Sequence, residues 1–240
     1  MTTLCIDTAT EYGTVVVARD DGTFTSARWR SQARHGENLF GHIESALADA
    51  GIGREALSLI GINIGPGRFT SLRVGLGTAK GLAFGLGLPI VGVSSLAVLA
   101  RAIECDSDCI RVPVMNGYRG DVFAAAYLID DATIEELAAP IFGRPEVVFG
   151  EIRERLGSRS VSVGGEGVRP HAELIESELG VRPGEKQMAL QAPTPGAIAA
   201  EVRYRFRTVG PSDLDSLEPN YLRPSDAKLP ERMQKPGASS

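Results

Sequence analysis

Hydrophobic and polar positions follow two different periods along the chain, and their alternation predicts an α/β fold. Short apolar or β-branched runs bounded by turn residues indicate strands, at residues 4–10, 13–18, 24–30, 59–64, 89–93, 111–115, 121–128 and 160–163. Apolar residues spaced three or four positions apart indicate helices, at residues 37–50, 70–86, 95–103, 170–179 and 196–208. A short extended piece is expected at 219–223, and no element is assigned between 129 and 159.

A strand, a polar turn and a second strand occur twice in this pattern. The first strand ends at Asp7, and Asn116 occupies the corresponding place at the start of the second half. Such self-similarity indicates an internal duplication. We therefore expect a first domain at 1–104, a second at 105–224 and a loose polar tail at 225–240.

The helix predicted at 70–86 has two distinct faces. One carries an apolar stripe that is expected to pack on a sheet, formed by Leu72, Leu76, Ala79, Ala83 and Leu86. The other combines two large apolar residues with glycines every four positions, namely Val74, Gly77, Gly81, Phe84 and Gly85. Each glycine inside a helix costs roughly 1 kcal/mol relative to alanine, so the groove indicates close approach of another backbone. Either the helix at 37–50 or a partner subunit fills it.

Composition narrows the class of protein. The chain has 240 residues, 43% of them hydrophobic, which is typical of a globular protein. Its net charge of −5 is not typical of a protein that binds nucleic acid without a partner. The amino-terminal residues contain no signal-like segment, so we expect a cytoplasmic protein without membrane association. The three cysteines are Cys5, Cys105 and Cys109, and we expect all three to be free thiols. The alternative is a zinc site at Cys105 and Cys109, but the sequence offers no second pair of ligands for it.

Candidate nucleotide contacts lie at the two polar turns and at a glycine pair. Asp7 and Thr8 end the first strand, Asn116 ends its counterpart, and Gly164 and Gly165 follow a later strand. A carboxylate at a strand end can hold Mg²⁺ through water, whereas the neutral Asn116 is a poor general base. With only one carboxylate, the pair forms an incomplete phosphoryl-transfer site, and we predict no catalytic residue and no metal site.

The loop at residues 65–70 follows a strand and opens a helix, where backbone N–H groups can bind an anion. It matches neither a Walker loop nor the dinucleotide fingerprint, since Thr70 stands where the third glycine would be. A tight turn therefore explains the loop better than a phosphate site, although both interpretations remain open.

Residues 65–83, which read GPGRFTSLRVGLGTAKGLA, resemble the signature of the TsaB (YeaZ) family. The resemblance extends along nearly the whole chain and includes residues 6–10, 35–37, 89–96 and 219–223. It implies an actin-like/hexokinase-like (ASKHA) fold of two duplicated α/β domains with mixed sheets. The chain departs from the family pattern at residues 68–71 and 116–119. The change at Arg68 places a charge in the loop.

The resemblance also implies a function. Family members are non-catalytic accessory subunits that pair with the paralogue TsaD for threonylcarbamoylation of adenosine 37, in tRNAs reading codons that begin with adenine. It implies a TsaE-type ATPase as a further partner, contact with tRNA only through the complex, and a homodimer when the subunit is alone. No cofactor is expected to be required, and ATP or ADP is expected, if anywhere, in the cleft between the domains or at a complex interface.

In the paralogue, a pair of metal-binding histidines follows the strand that corresponds to residues 89–93, and here those positions are Ser95 and Leu99. The resemblance therefore implies no activity for this chain alone. It also implies that the first two helices form the pairing surface, for which we predict Phe40, Glu44, Arg73, Val74, Gly77, Gly81 and Phe84. Two alternatives remain: an actin-like ATPase or small-molecule kinase that uses Asp7, and a metallopeptidase, which the missing histidines disfavour.

Overall fold

The computed structural model describes residues 1–30, 35–105, 109–130 and 133–222, with the backbone alone for 35–37. The first sheet contains β1 (Thr2–Asp7), β2 (Tyr12–Arg19), β3 (Phe24–Arg30), β4 (Leu59–Gly65) and β5 (Ile90–Ser94). The second contains β6 (Ile110–Tyr118), β7 (Asp121–Ile129), β8 (Ile134–Gly143) and β9 (Val161–Gly164). The helices are α1 (His35–Asp49), α2 (Phe69–Leu86), α3 (Ser95–Arg101), α4 (Pro145–Leu156), α5 (Ala172–Leu179), α6 (Glu185–Ala189) and α7 (Pro195–Thr208).

The two sheets share the arrangement of four strands, and the first sheet has a fifth. Their strand orders are β3-β2-β1-β4-β5 and β8-β7-β6-β9. In the first, β1 pairs antiparallel with β2 and parallel with β4; in the second, β6 pairs antiparallel with β7 and parallel with β9. Each half is therefore a three-stranded meander extended by parallel strands, by β4 and β5 in the first sheet and by β9 in the second, which confirms the prediction of two duplicated α/β units with mixed sheets.

Helices cover both faces of the first sheet. The buried stripes of α1 and α2 pack side by side on one face, through residues such as Leu39, Ile43, Leu76 and Ala79. The α3 and α7 helices pack on the other face, and α3 also contacts the second sheet through Leu96 and its neighbours. The α4 and α5 helices cover the far face of the second sheet. Because α7 returns to the first sheet, the two units are linked twice; the domain limits at 104 and 224 stay a prediction.

Residues 211–222, which we call the C-terminal strap, run along the edge of the first sheet. The Ser212 backbone N–H donates to the Ile90 carbonyl at 2.7 Å, and the Asn220 N–H donates to the Ile64 carbonyl at 2.7 Å. Leu217 packs against the core between the first sheet and α2. The extended piece predicted at 219–223 is part of this strap as far as residue 222, but it forms no strand; residue 223 and the predicted tail lie outside the described residues.

The expectation of three free thiols is wrong. Cys105 and Cys109 form a disulfide with a Cα–Cα distance of 5.8 Å, a separation that suits the bond. Cys5 is free and buried in β1. Within the part of the chain that the structure describes, no helix is both long enough and apolar enough to cross a membrane.

Candidate functional site

The two polar turns that the sequence singled out adopt the same local geometry. The Asp7 Oδ1 atom accepts a hydrogen bond from the Ala9 N–H at 2.9 Å. The Asn116 Oδ1 atom accepts one from the Tyr118 N–H at 2.8 Å. A side-chain oxygen that bonds the backbone two residues later is the mark of an Asx turn. The duplicated hairpins thus use Asp and Asn for the same structural purpose.

Asp7 itself is buried, with 2% of its surface exposed. Burial raises the pKa of its carboxyl group, and the hydrogen bond from Ala9 and the neighbouring Asn63 amide lower that pKa to a smaller extent. The Asn63 Nδ2 atom is itself buried, and within the described ranges it has no hydrogen-bond partner of ordinary geometry. A carboxylate so enclosed has little contact with solvent, and one of its oxygens is already hydrogen-bonded to the Ala9 N–H.

Thr8 is occupied by a contact inside the chain. Its Oγ1 atom donates to the Ser71 carbonyl at 2.8 Å, and the side chain is fully buried. A Cβ atom added at Gly75 would overlap this oxygen. Thr8 therefore fixes α2 against the end of β1.

The glycine pair in the second half is also closely packed. A Cβ atom at Gly165 would overlap the backbone oxygen of Val114, and one at Gly164 would lie 2.7 Å from the Ile103 side chain. Gly165 has a φ of +122°, a value that side chains rarely tolerate. These contacts account for both glycines without a ligand, and nucleotide binding at Asp7, Thr8, Asn116, Gly164 and Gly165 stays a prediction.

The loop between β4 and α2 is anchored to the first hairpin. The Arg68 N–H donates to the Ala9 carbonyl at 2.8 Å, and a Cβ atom at Gly67 would overlap the same carbonyl oxygen. One of the N–H groups at the start of α2 is thus unavailable to an anion. The geometry favours the interpretation of residues 65–70 as a tight turn.

A charged cluster that sequence reasoning did not identify lies where the two halves face each other. Burial raises the pKa of Glu166 to about 7; Glu11 raises this pKa further, while the Asn116 N–H and Arg68 lower it. Burial and Glu166 likewise raise the pKa of Tyr118. The four side chains come from four segments that are distant in sequence, so no local sequence pattern could have revealed the cluster.

The outer face of α2 is open. Among the described residues, no atom lies within 4 Å of a Cβ added at Gly77, Gly81 or Gly85. Phe84 on the same face is 81% exposed, and Phe40 on α1 is 58% exposed. Of the two explanations for the glycine groove, the one in which α1 fills it is therefore wrong, because α1 packs beside α2 on the sheet and not over its outer face.

The residues predicted for the pairing surface lie on these two adjacent helices. Six are exposed, namely Phe40, Glu44, Arg73, Gly77, Gly81 and Phe84, and Val74 is half-buried. Their role in binding a partner stays a prediction. Ser95 and Leu99 are both buried, and the Ser95 Oγ atom donates to the Asn63 Oδ1 atom at 2.6 Å.

Comparison with known proteins places the chain in a family. A family model described as TsaD, tRNA N6-adenosine threonylcarbamoyltransferase, matches residues 30–174. The Escherichia coli protein named tRNA threonylcarbamoyladenosine biosynthesis protein TsaB is 32% identical over 238 residues, covering 96% of this chain and 99% of that protein. The Bacillus subtilis protein of the same name is 28% identical over 230 residues, covering 95% and 96%.

Solved structures agree with this placement. The structure of YeaZ from Pseudomonas aeruginosa superposes with a TM-score of 0.76 at 21% identity, covering 92% of this chain and 99% of that one. The chain thus has the predicted actin-like/hexokinase-like fold. The identity to the Escherichia coli protein, its coverage of both chains and the shared fold lead to one conclusion: the chain belongs to the TsaB (YeaZ) family.

Proposed function

We propose that this chain is a non-catalytic accessory subunit that pairs with a TsaD-type transferase to threonylcarbamoylate adenosine 37 of tRNAs reading codons that begin with adenine. Its relatives carry the name of tRNA threonylcarbamoyladenosine biosynthesis proteins. The structural observation that carries the pairing is the open outer face of α2, whose glycines have no atom of the described chain within reach of a Cβ.

An open glycine face next to exposed phenylalanines needs a physical reason. Gly77, Gly81 and Gly85 together cost the isolated helix about 3 kcal/mol relative to alanine. Phe84 and Phe40 expose large apolar side chains on the same side of the molecule, a feature typical of protein-binding surfaces. A helix of the partner that lies in the groove covers the phenylalanines and makes the close contacts that the glycines permit.

The interior of the chain suits a supporting role better than a catalytic one. Asp7, the carboxylate at the end of the first strand, is buried and already accepts a hydrogen bond from the Ala9 N–H. Leu99 cannot bind a metal, and it packs in the core between α3 and the second sheet. The transfer of the threonylcarbamoyl group is therefore assigned to the paralogue. A TsaE-type ATPase is proposed to join the same assembly.

The net charge of −5 supports contact with tRNA through the complex, since an acidic protein gains little from phosphate contacts. The same open face is proposed to pair two copies of the chain when the paralogue is absent. An ATP or ADP molecule, if one takes part, is proposed to sit in the inter-domain cleft or at a complex interface.

Reconstitution tests the proposal as a whole. The purified chain alone is expected to make no modified nucleoside. Adding the TsaD paralogue and the other pathway enzymes is expected to produce threonylcarbamoyladenosine, measured by mass spectrometry of digested tRNA. Full activity of the mixture without this chain would contradict the proposal. Calorimetry with Mg-ATP tests the alternative: tight binding that Asp7→Ala abolishes would favour an ATPase or kinase.

Gly81→Leu tests the pairing surface directly. Its side chain fills the groove, and we expect the dissociation constant of the complex to rise about 100-fold. The isolated variant is expected to stay folded, because the position is open and leucine favours a helix. Gly150→Leu, at an equally open position on α4, is the matched control and should bind normally. Unchanged co-purification of Gly81→Leu with the paralogue would remove the pairing argument.

A further inference from the structure

A cavity of about 390 Å³ lies between α2 and the C-terminal strap, beside the glycine groove. Its walls include Arg73, Gly77 and Lys80 from the helix and Leu217, Glu218 and Tyr221 from the strap. The volume is ample for one side chain of another molecule. Because Gly77 belongs both to this cavity and to the groove, a helix lying in the groove can place a side chain in it.

Arg73 is held in a fixed orientation at the mouth of the cavity. Its Nε atom donates to the Tyr221 hydroxyl at 2.8 Å. Its guanidinium group stacks on the Phe69 ring at 3.8 Å from the centroid. Among the described residues, none accepts a hydrogen bond from its two terminal nitrogens. A planar guanidinium with both outer nitrogens free matches a carboxylate in a two-pronged contact.

Lys80 has a different role. Its ammonium group donates to the Asp215 carbonyl at 3.1 Å and to the Leu217 carbonyl at 3.3 Å, so it fastens the strap to α2. Hydrogen bonds from Ser216 lower the pKa of Asp213, and Lys80 lowers that pKa to a smaller extent, so a carboxylate of the chain already lies near the ammonium group. Of the two cations that line the cavity, Arg73 is therefore the one that is available to a partner.

From these contacts we propose that the cavity receives an aspartate or glutamate side chain from a helix of the partner, that Arg73 binds its carboxylate, and that the strap orients Arg73 through Tyr221. The inference rests on the proposed pairing with the TsaD paralogue. It extends the partner surface from the two helices onto the strap, which the sequence did not include.

Charge explains why a carboxylate is the ligand. Arg73 and Lys80 line one wall and Glu218 lines another, so the cavity carries a small net positive charge. The anionic side chains that a partner helix can supply are the carboxylates of aspartate and glutamate, and one such charge matches this small positive surplus. The contact is partly solvated, so it should weaken as salt screens the charges.

The test measures affinity for the TsaD paralogue by calorimetry at about 0.1 M and about 1 M salt. We expect the dissociation constant of the wild-type complex to rise with salt. Arg73→Met keeps the apolar stem and removes the charge; it should raise the dissociation constant about tenfold at low salt and flatten the salt dependence. Tyr221→Phe removes only the hydroxyl group and should weaken binding less, with the salt dependence retained.

Arg182→Met is the matched control, since Arg182 is an exposed arginine of the second unit, and it should bind like the wild type. Thermal unfolding checks that every variant is folded. Adding inorganic phosphate, compared with a chloride salt at equal ionic strength, should leave the affinity unchanged.

The outcomes separate this inference from the proposed function. If the wild-type chain does not bind the paralogue, the proposed function fails. If the wild type binds and Gly81→Leu does not, but Arg73→Met binds like the wild type, the pairing stands and the cavity assignment is overturned. A salt-independent loss in Arg73→Met, or competition by phosphate, would overturn the assignment to a carboxylate. Wild-type affinity of Tyr221→Phe would overturn the orienting role of the strap.

Discussion

The cleft between the two sheets and the outer face of α2 are both rich in glycine, yet they use it in opposite ways. In the cleft, a Cβ atom at Gly165 or Gly67 would overlap a backbone oxygen, and one at Gly75 would overlap the Thr8 hydroxyl. On the outer face, a Cβ atom at Gly77 or Gly81 meets nothing in the described chain.

This difference separates two reasons for a glycine. In the cleft, glycine is required by packing inside the chain, so the loops that resemble nucleotide sites are already filled by protein atoms. On α2 the small residue has no internal use, and its cost in helix stability is offset only when something outside the chain approaches. Substitutions can test each half of this contrast.

The largest effect on stability is expected in the closely packed cleft, for Gly165→Ala. The added Cβ overlaps the Val114 carbonyl oxygen at a φ of +122°, and the backbone must shift to relieve it. We expect the free energy of unfolding, measured with urea, to fall by about 3 kcal/mol. A stability equal to that of the wild type would show that the cleft is loosely packed, and it would reopen the glycine pair as a ligand site.

An intermediate effect is expected from the charged cluster in the cleft. Burial raises the pKa of Glu166 from 4.5 to about 7, so the folded state holds a proton that the unfolded state releases. The free energy of unfolding should therefore decrease as the pH rises from about 4.5 to about 7. Asp7 and Glu201 act in the same direction, since burial also raises the pKa of each.

Glu166→Gln isolates the contribution of this residue. The variant should lose less stability than the wild type over that pH range, by on the order of 1 kcal/mol after allowance for its partial exposure. Urea unfolding at several pH values provides the measurement. Parallel profiles for the two proteins would show that Glu166 is as well solvated in the folded state as in the unfolded chain.

The smallest effect, and one of opposite sign, is expected for Gly77→Ala. The same substitution that damages the cleft at Gly165 should raise the free energy of unfolding by about 1 kcal/mol here, because the position is open and alanine favours a helix. The measurement requires a protein concentration low enough to keep association from adding to stability. A loss of stability would mean that another part of the chain covers this face.

Most elements were predictable because their signals are local. The stripes of α1 and α2, the β-branched run of β2 and the proline and threonine at the start of α7 all act between neighbours in sequence. The α4 helix was missed although Pro145 opens it and Val148, Phe149, Ile152 and Leu156 are buried on one side. The β8 strand was harder to predict, because irregular pairing with β7 disrupts the alternation of inward and outward residues.

The candidate sites were predictable to a smaller extent. Sequence reasoning found the two polar turns, and the structure shows that both are Asx turns. It could not find the cluster of Glu11, Arg68, Tyr118 and Glu166, which four distant segments bring together. The disulfide between Cys105 and Cys109 depends on how close the fold brings the two residues, which spacing alone does not reveal.

The sequence by itself determined that α2 has two apolar faces, one continuous and one interrupted by glycines, since that property depends only on helical periodicity. Only the tertiary structure decided which face is covered. It placed α1 beside α2 and left Gly77 and Gly81 open, and it brought the strap against Arg73 from 148 positions away in the chain. Periodicity describes one element, whereas the cover of a surface depends on contacts between elements that are remote in sequence.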